Sequence, residues 1–99
     1  MATLLIEHRI TDFATWSGAF ARFAAYRRAR GVQGEHVYQP VDDPHYVLIT
    51  LDFAEHPLAA SFLDFLHSQV WTSPTASPAL DGAPRTVILQ PAPSASEAS

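Results

Sequence analysis

The sequence predicts a single α+β domain with the element order βαββαβ. Hydrophobic residues make up 47% of the 99 residues, which is enough to build one core but not two. Four segments are rich in branched and aromatic residues, as strands are, and two have apolar residues at three- and four-residue spacing, as helices do. The order in which these segments alternate predicts the fold class.

The first strand and the first helix are predicted from the N-terminal third of the chain. Residues 3–10 form a short run rich in branched side chains, which predicts a strand. Asp12 is a good helix N-cap, and Gly31 can adopt the left-handed conformation that closes a helix. Between these two residues an apolar stripe at helical spacing is predicted to face the core, and it consists of Phe13, Trp16, Phe20 and Phe23. Arg27 continues this stripe near the end of the helix, where it could reach a carboxylate ligand or act as a structural cation, and it is left out of the candidate site.

The remaining elements follow from turn and helix-start signals. Residues 34–39 and 45–53 flank a Pro-Val-Asp-Asp-Pro segment that favours a turn, so the two are predicted to pair as a hairpin. Pro57 suits the first position of a second helix, which is predicted to end at Ser73-Pro74. The last strand is predicted at residues 85–90. The domain is therefore placed at residues 1–91, with a Pro/Ala/Ser-rich tail at 92–99.

This order predicts a four-stranded antiparallel sheet with both helices on one face. The second face also carries apolar residues, since Leu48 and Tyr46 alternate with Val47 and Ile49 along the third strand. A lone subunit would expose an apolar patch on the order of several hundred Å². We therefore expect a homodimer in which two sheets pack face to face about a two-fold axis.

Composition excludes several classes of function. The chain has no cysteine and no lysine, so thiolate metal ligands, disulfides, a Schiff-base amine and a P-loop lysine are absent from it. A net charge of −4 argues against nucleic acid as a partner. No run approaches the roughly 20 apolar residues that span a membrane, and no signal peptide is recognisable. These features predict a soluble cytoplasmic protein without a membrane partner.

Several short motifs along the chain look familiar: the run from His8 to Phe13, the helix residues Trp16 and Phe20, then Gly31, Val37-Tyr38 and Asp42-Asp43-Pro44. Together they resemble the dimeric α/β-barrel superfamily, in particular its antibiotic-biosynthesis-monooxygenase-like branch. The similarity covers residues 4–89. It implies a ferredoxin-like subunit, a dimeric α/β barrel whose sheets enclose a cavity, and small organic substrates such as polyketide aromatics. The segment after Trp71 departs from the glycine- and valine-containing connection usual in the family.

Three residues are candidates for catalysis. His8 shares a strand face with Leu4 and Ile6, so it is expected to be partly buried, either as a packed structural histidine or as a general acid or base. His36 and Tyr38 point to one face of the second strand. They could orient a phenol or quinone and move a proton, or they could lie in the dimer interface.

Three further residues are candidates for substrate binding. Tyr46 and Thr50 share the ambiguity between cavity and interface, and Trp71 could stack on an aromatic ligand or simply plug the core. We expect no metal site, because the five histidines show no close ligand spacing such as HExxH. We expect no cofactor either, since no glycine-rich loop is present.

The leading hypothesis is a small-molecule enzyme acting in the cavity of the dimer, such as a cofactor-independent monooxygenase of an aromatic substrate that itself supplies the electrons for oxygen. The alternative is a non-catalytic ligand-binding or structural homodimer, which a filled interior would favour. The resemblance also implies a third possibility, heme binding through a cavity histidine as in some members of the family. A cavity of roughly 300 Å³ or more lined by His8, His36 or Tyr38 would favour the enzyme.

Overall fold

The computed structural model describes residues 1–92, and their element order is the one predicted. The strands pair antiparallel in one sheet of order β2-β3-β1-β4, so the ferredoxin-like α+β fold is confirmed. The proposed tail from residue 93 onward lies outside the described residues. The elements are β1 Ala2–Ile10, α1 Phe13–Arg22, α2 Ala24–Ala29, β2 Gly34–Tyr38, β3 Tyr46–Phe53, α3 His56–Phe65, a π-helical turn Leu66–Val70 and β4 Leu80–Leu89.

The alternation of the strands separates a helix-covered face of the sheet from an outer face. Leu4 of β1 lies opposite Leu51 of β3, and Ile6 lies opposite Ile49. All four side chains are buried beneath the helices. The residues between them in sequence point the other way, to the outer face. No helix within residues 1–92 is long and apolar enough to cross a membrane.

Helix one is divided, where the sequence predicted one continuous helix. Phe23 has backbone angles of φ −99° and ψ 11°, which separate α1 from α2. The carbonyl of Phe20 accepts hydrogen bonds from the Phe23 N–H at 3.3 Å and from the Arg27 guanidinium at 2.6 Å. The two predicted ends are correct, since Asp12 caps α1 and Gly31 has φ 104°.

The second helix closes with a wider turn. The N–H of Trp71 donates to the carbonyl of Leu66 at 2.9 Å, five residues earlier, which is the spacing of a π-helix. Such turns are rare and are found often at functional sites. This turn sets the direction in which Trp71 leaves the helix.

Strand β4 begins at Leu80, five residues before the predicted start, and contains an irregularity. The register with β1 shifts between Glu7 and Arg9, so the extra residues of β4 lie beside His8. Gly82, with φ 85°, and Pro84 belong to this stretch. A bulge of this kind redirects side chains and is common next to active sites.

Candidate functional site

A cavity of about 90 Å³ lies between the helices and the covered face of the sheet. Residues of β1, β3, all the helices, the π-helical turn and the segment before β4 line it. His8 and Arg27 are the two buried polar or charged side chains among residues 1–92, and both line this cavity. The aromatic residues in the lining are Trp16, Phe20, Phe23, Tyr26, Phe62, Phe65 and Trp71.

His8 enters the cavity wall from β1, as its place in the alternating pattern predicts. Its side chain is buried, and its Nδ1 lies 2.9 Å from the carbonyl oxygen of Arg9. A carbonyl oxygen can only accept, so Nδ1 carries the proton and Nε2 carries a lone pair. Nε2 has no hydrogen-bond partner within residues 1–92. Every fully buried side-chain nitrogen or oxygen in those residues does have a partner, so Nε2 is not fully buried. Nε2 therefore reaches the open space of the cavity.

Burial determines the charge of His8. Removal from water lowers the pKa of the imidazole, and the hydrogen bond to the Arg9 carbonyl opposes this effect more weakly. His8 is consequently neutral at neutral pH, and its free Nε2 lone pair can accept a proton.

One wall of the cavity is a stack of aromatic rings on α1. Trp16 and Phe20 are four residues apart and therefore share a helix face. Their ring centroids are 4.9 Å apart with an interplanar angle of 20°, and the His8 ring meets Trp16 edge-on at 6.4 Å. The sequence identified Trp16 and Phe20 as core residues only, because helical spacing does not distinguish a filled core from the wall of a cavity.

Arg27 lies at the other end of this aromatic wall. Its guanidinium carbon is 3.6 Å from the centroid of the Phe20 ring. Nε and Nη2 donate to the two carboxylate oxygens of Glu35 at 2.5 and 3.1 Å, while Nη1 donates to the Phe20 carbonyl. Sequence analysis placed Arg27 at a helix end and left it out of the site. Its position on the apolar stripe of helix one was the available signal.

Trp71 lines the cavity next to the segment 72–79. The π-helical turn positions it, and the His67 ring meets it edge-on at 5.0 Å. Residues 72–78 are held by hydrogen bonds to nearby residues: Ser77 Oγ donates to the Val70 carbonyl at 3.0 Å, and the Ser77 N–H donates to the Ser73 carbonyl at 2.9 Å. Ala79, in contrast, is buried and accepts a hydrogen bond from the Thr11 N–H at 2.9 Å, which fixes the end of the segment beside the loop after β1.

The other four candidate residues lie on the outer face of the sheet. His36 is opposite Thr50, and Tyr38 is opposite Leu48, a neighbour of Thr50 on the same face. The His36 and Tyr38 rings stack with centroids 6.3 Å apart. Tyr46 shares this face, and its hydroxyl donates to a Glu7 carboxylate oxygen at 2.6 Å, which raises the pKa of Tyr46.

The structure thus brings His8 and Trp71 together and separates both from His36, Tyr38, Tyr46 and Thr50. The six residues do not line a single cavity of the chain. Within residues 1–92, no three histidine, aspartate or glutamate side chains are placed to hold a metal ion together. A more open groove of about 340 Å³, between α2 and α3, contains none of the six.

Comparison with known proteins bears on the fold. No family model and no curated protein sequence matches the chain. The structure is similar to that of SnoaB, a cofactor-independent oxygenase from Streptomyces nogalater, with a TM-score of 0.69 over 92% of both chains and 18% identity. It is also similar to a putative antibiotic biosynthesis monooxygenase from Nitrosomonas europaea, with a TM-score of 0.69, 15% identity and coverage of 92% of this chain and 98% of that one.

An uncharacterized NIPSNAP domain protein from Burkholderia xenovorans is similar as well, with a TM-score of 0.64, 15% identity and coverage of 94% of this chain and 96% of the other. At these identities the comparisons show the fold. The predicted resemblance to antibiotic-biosynthesis monooxygenases is thereby confirmed at the level of the fold.

Proposed function

We propose that the chain is a small-molecule enzyme that oxygenates an electron-rich aromatic compound without a cofactor, in the cavity between helices and sheet. The observation that carries this proposal is His8, a buried neutral imidazole whose Nε2 opens into an aromatic-lined cavity. The proposal places the site inside each subunit, whereas the sequence favoured a cavity enclosed by the two sheets of a dimer.

In the proposed reaction, an activated ring CH₂ group is converted to a carbonyl. His8 Nε2 removes one proton, and the resulting carbanion transfers an electron to molecular oxygen. Recombination forms a C–O bond, and protonated His8 returns its proton to the peroxide. Loss of the second C–H proton with cleavage of the O–O bond releases water. One substrate and one O₂ therefore give one carbonyl product and one water, with all the electrons supplied by the substrate.

The size of the cavity limits what can bind without movement. About 90 Å³ is less than the roughly 300 Å³ at the lower end for drug-sized ligands. A ligand with two or three rings requires the wall formed by residues 72–78 to move outward. The short-range hydrogen bonds of that segment are consistent with such a movement.

Oxygen consumption with anthrone as the probe tests the reaction. The wild type should consume one O₂ per anthrone and form anthraquinone faster than the spontaneous reaction. His8→Leu should slow this by about 10²- to 10⁴-fold, the usual contribution of a general base. The matched control is His36→Leu, which removes a histidine from the outer face and should leave the rate unchanged. Equal rates for the wild type and His8→Leu would refute the role of His8.

The small cavity favours one alternative, a ligand-binding protein without catalysis. This alternative predicts that calorimetry detects binding of an aromatic probe while oxygen uptake stays at the spontaneous rate. Accelerated uptake that depends on His8 would exclude it.

We also propose that the outer face of the sheet packs against a second copy of the chain. The helices cover only one face, and the outer face presents Tyr38, Val87 and Leu89 with 54%, 42% and 43% of their surface exposed. Leu48→Arg, on the same face, should convert a dimer to a monomer in analytical ultracentrifugation. Val41→Arg, in the exposed turn, is the control that should stay dimeric, and a monomeric wild type would refute this proposal.

A further inference from the structure

The cavity carries a buried cation at the end of its aromatic wall, and we propose that this cation, Arg27, is a binding subsite for an anionic oxygen on the ligand. The ligand would then be an aromatic ring that bears a carboxylate or an ionised phenol. This inference rests on the proposed function in one respect, namely that the cavity is where the ligand binds.

The hydrogen bonds of Arg27 leave donors available. A guanidinium has five N–H groups in a fixed planar arrangement. Within residues 1–92 three of them have acceptors, two on Glu35 and one on the Phe20 carbonyl. The remaining two belong to Nη1 and Nη2. Only 6% of the Arg27 side chain is exposed, so the cavity that Arg27 lines is the space in which these two groups can find an acceptor.

The charge of Arg27 is only partly offset at the cavity. Glu35 is its ion-pair partner, but 34% of the Glu35 side chain is exposed to solvent on β2. Water therefore screens the carboxylate more than the guanidinium, which remains in apolar surroundings. An anionic oxygen in the cavity would form charge-assisted hydrogen bonds, which are stronger than neutral ones.

The position of Arg27 fits a ligand that also reaches His8. The guanidinium lies over Phe20, Phe20 stacks on Trp16, and Trp16 contacts the His8 ring. A flat ligand lying along Trp16 and Phe20 would have its anionic substituent at Arg27 and its opposite edge at His8. In this arrangement the anionic substituent lies at Arg27, away from His8 Nε2, so it would not compete for the proton that His8 accepts.

A purely structural Arg27 is the competing explanation, because the ion pair also connects α2 to β2. The two explanations differ in ligand selectivity. If Arg27 serves only to hold Glu35, it would not distinguish an anionic ligand from a neutral one of the same shape.

Calorimetric titration with 2-naphthoate and 2-naphthamide, two probes of nearly the same shape and different charge, tests the inference without requiring turnover. The wild type should bind 2-naphthoate at least tenfold more tightly. The double variant Arg27→Met/Glu35→Gln, which removes both charges, should bind the two probes with similar affinity. Arg30→Met is the control for the general positive charge of this region and should keep the preference. Urea unfolding establishes that each variant is folded.

Equal affinities of the wild type for the two probes would overturn the subsite and leave the cavity as a binding site. A preference for 2-naphthoate that persists in the double variant would also overturn it, since the anion would then bind elsewhere. Failure of the wild type to bind either probe would refute the proposed function itself.

Discussion

Filling the cavity from helix α1 should stabilise the protein and abolish ligand binding. Ala19 is buried, and its side chain lines the cavity. Leucine adds three carbon atoms, which need roughly the volume of three water molecules at about 30 Å³ each. The cavity of about 90 Å³ can accept them. Leucine and alanine are both good helix formers, so α1 itself should be little affected.

The expected gain follows from burial of these carbon atoms. At about 0.8 kcal/mol per buried carbon, Ala19→Leu should gain about 2.4 kcal/mol, and loss of rotamer freedom should remove roughly 0.5–1 kcal/mol. The net effect is about 1.5 kcal/mol, or a Tm increase of roughly 6–12 °C for a domain of this size.

Thermal and urea unfolding measure the stability of Ala19→Leu, and calorimetric titration with 2-naphthoate measures its binding. The control is Ala21→Leu, an exposed position on the same helix, which should change stability by less than about 0.5 kcal/mol and leave binding intact. Destabilisation of Ala19→Leu by more than about 1 kcal/mol would mean that the cavity beside Ala19 is too small for the added carbon atoms. Unchanged binding in a stabilised variant would mean that the ligand binds elsewhere.

Three further predictions test individual features of the structure. The free energy of unfolding of the wild type, measured in urea, should fall as the pH drops below about 6.5, by up to about 1.4 kcal/mol per pH unit, because His8 binds a proton in the unfolded chain that it excludes when buried. His8→Leu should lack this contribution, and the same pH profile in both proteins would contradict the burial of His8 as a neutral group. Gly31→Ala should destabilise the protein by roughly 1–2 kcal/mol because φ is 104° at that position, whereas Gly18→Ala in helix α1, where an added Cβ meets nothing within 4 Å, should stabilise it by about 0.5–1 kcal/mol. Effects of the same sign in the two variants would refute this contrast. Asp12→Ala should lower the Tm, whereas Asp12→Asn should largely retain the wild-type Tm, since the asparagine side chain can also accept a hydrogen bond from the Thr15 N–H. An equal loss of Tm in the two variants would argue against the role of Asp12 as the N-cap of α1.

The features of the fold that depend on local chemistry could be predicted from the sequence. Asp12 and Gly31 mark the ends of helix one because side-chain capping and a positive φ depend on the residue itself. The division of that helix at Phe23 and the early start of β4 could not be predicted. The first involves a guanidinium hydrogen-bonded to a carbonyl seven residues away, and in the second Gly82 and Pro84 conceal a strand that β1 nevertheless pairs with.

The candidate site could be predicted only in part, because its formation depends on which face of the sheet is covered. Alternation correctly placed His8 on the face that carries Leu4 and Ile6. The same alternation placed His36 and Tyr38 on one face without indicating that this is the opposite face of the sheet. The helical pattern shows that Arg27 continues the apolar stripe, but it does not show the two N–H groups without an acceptor in residues 1–92, on which the proposed subsite rests.

The central claim is that a ligand binds between the helices and the sheet, and a crystal structure of the protein with bound 2-naphthoate tests it most directly. We expect the naphthalene ring along Trp16 and Phe20, with the carboxylate at Arg27 and the far edge at His8. Density for the ligand on the outer face of the sheet, beside His36 and Tyr38, would contradict the claim.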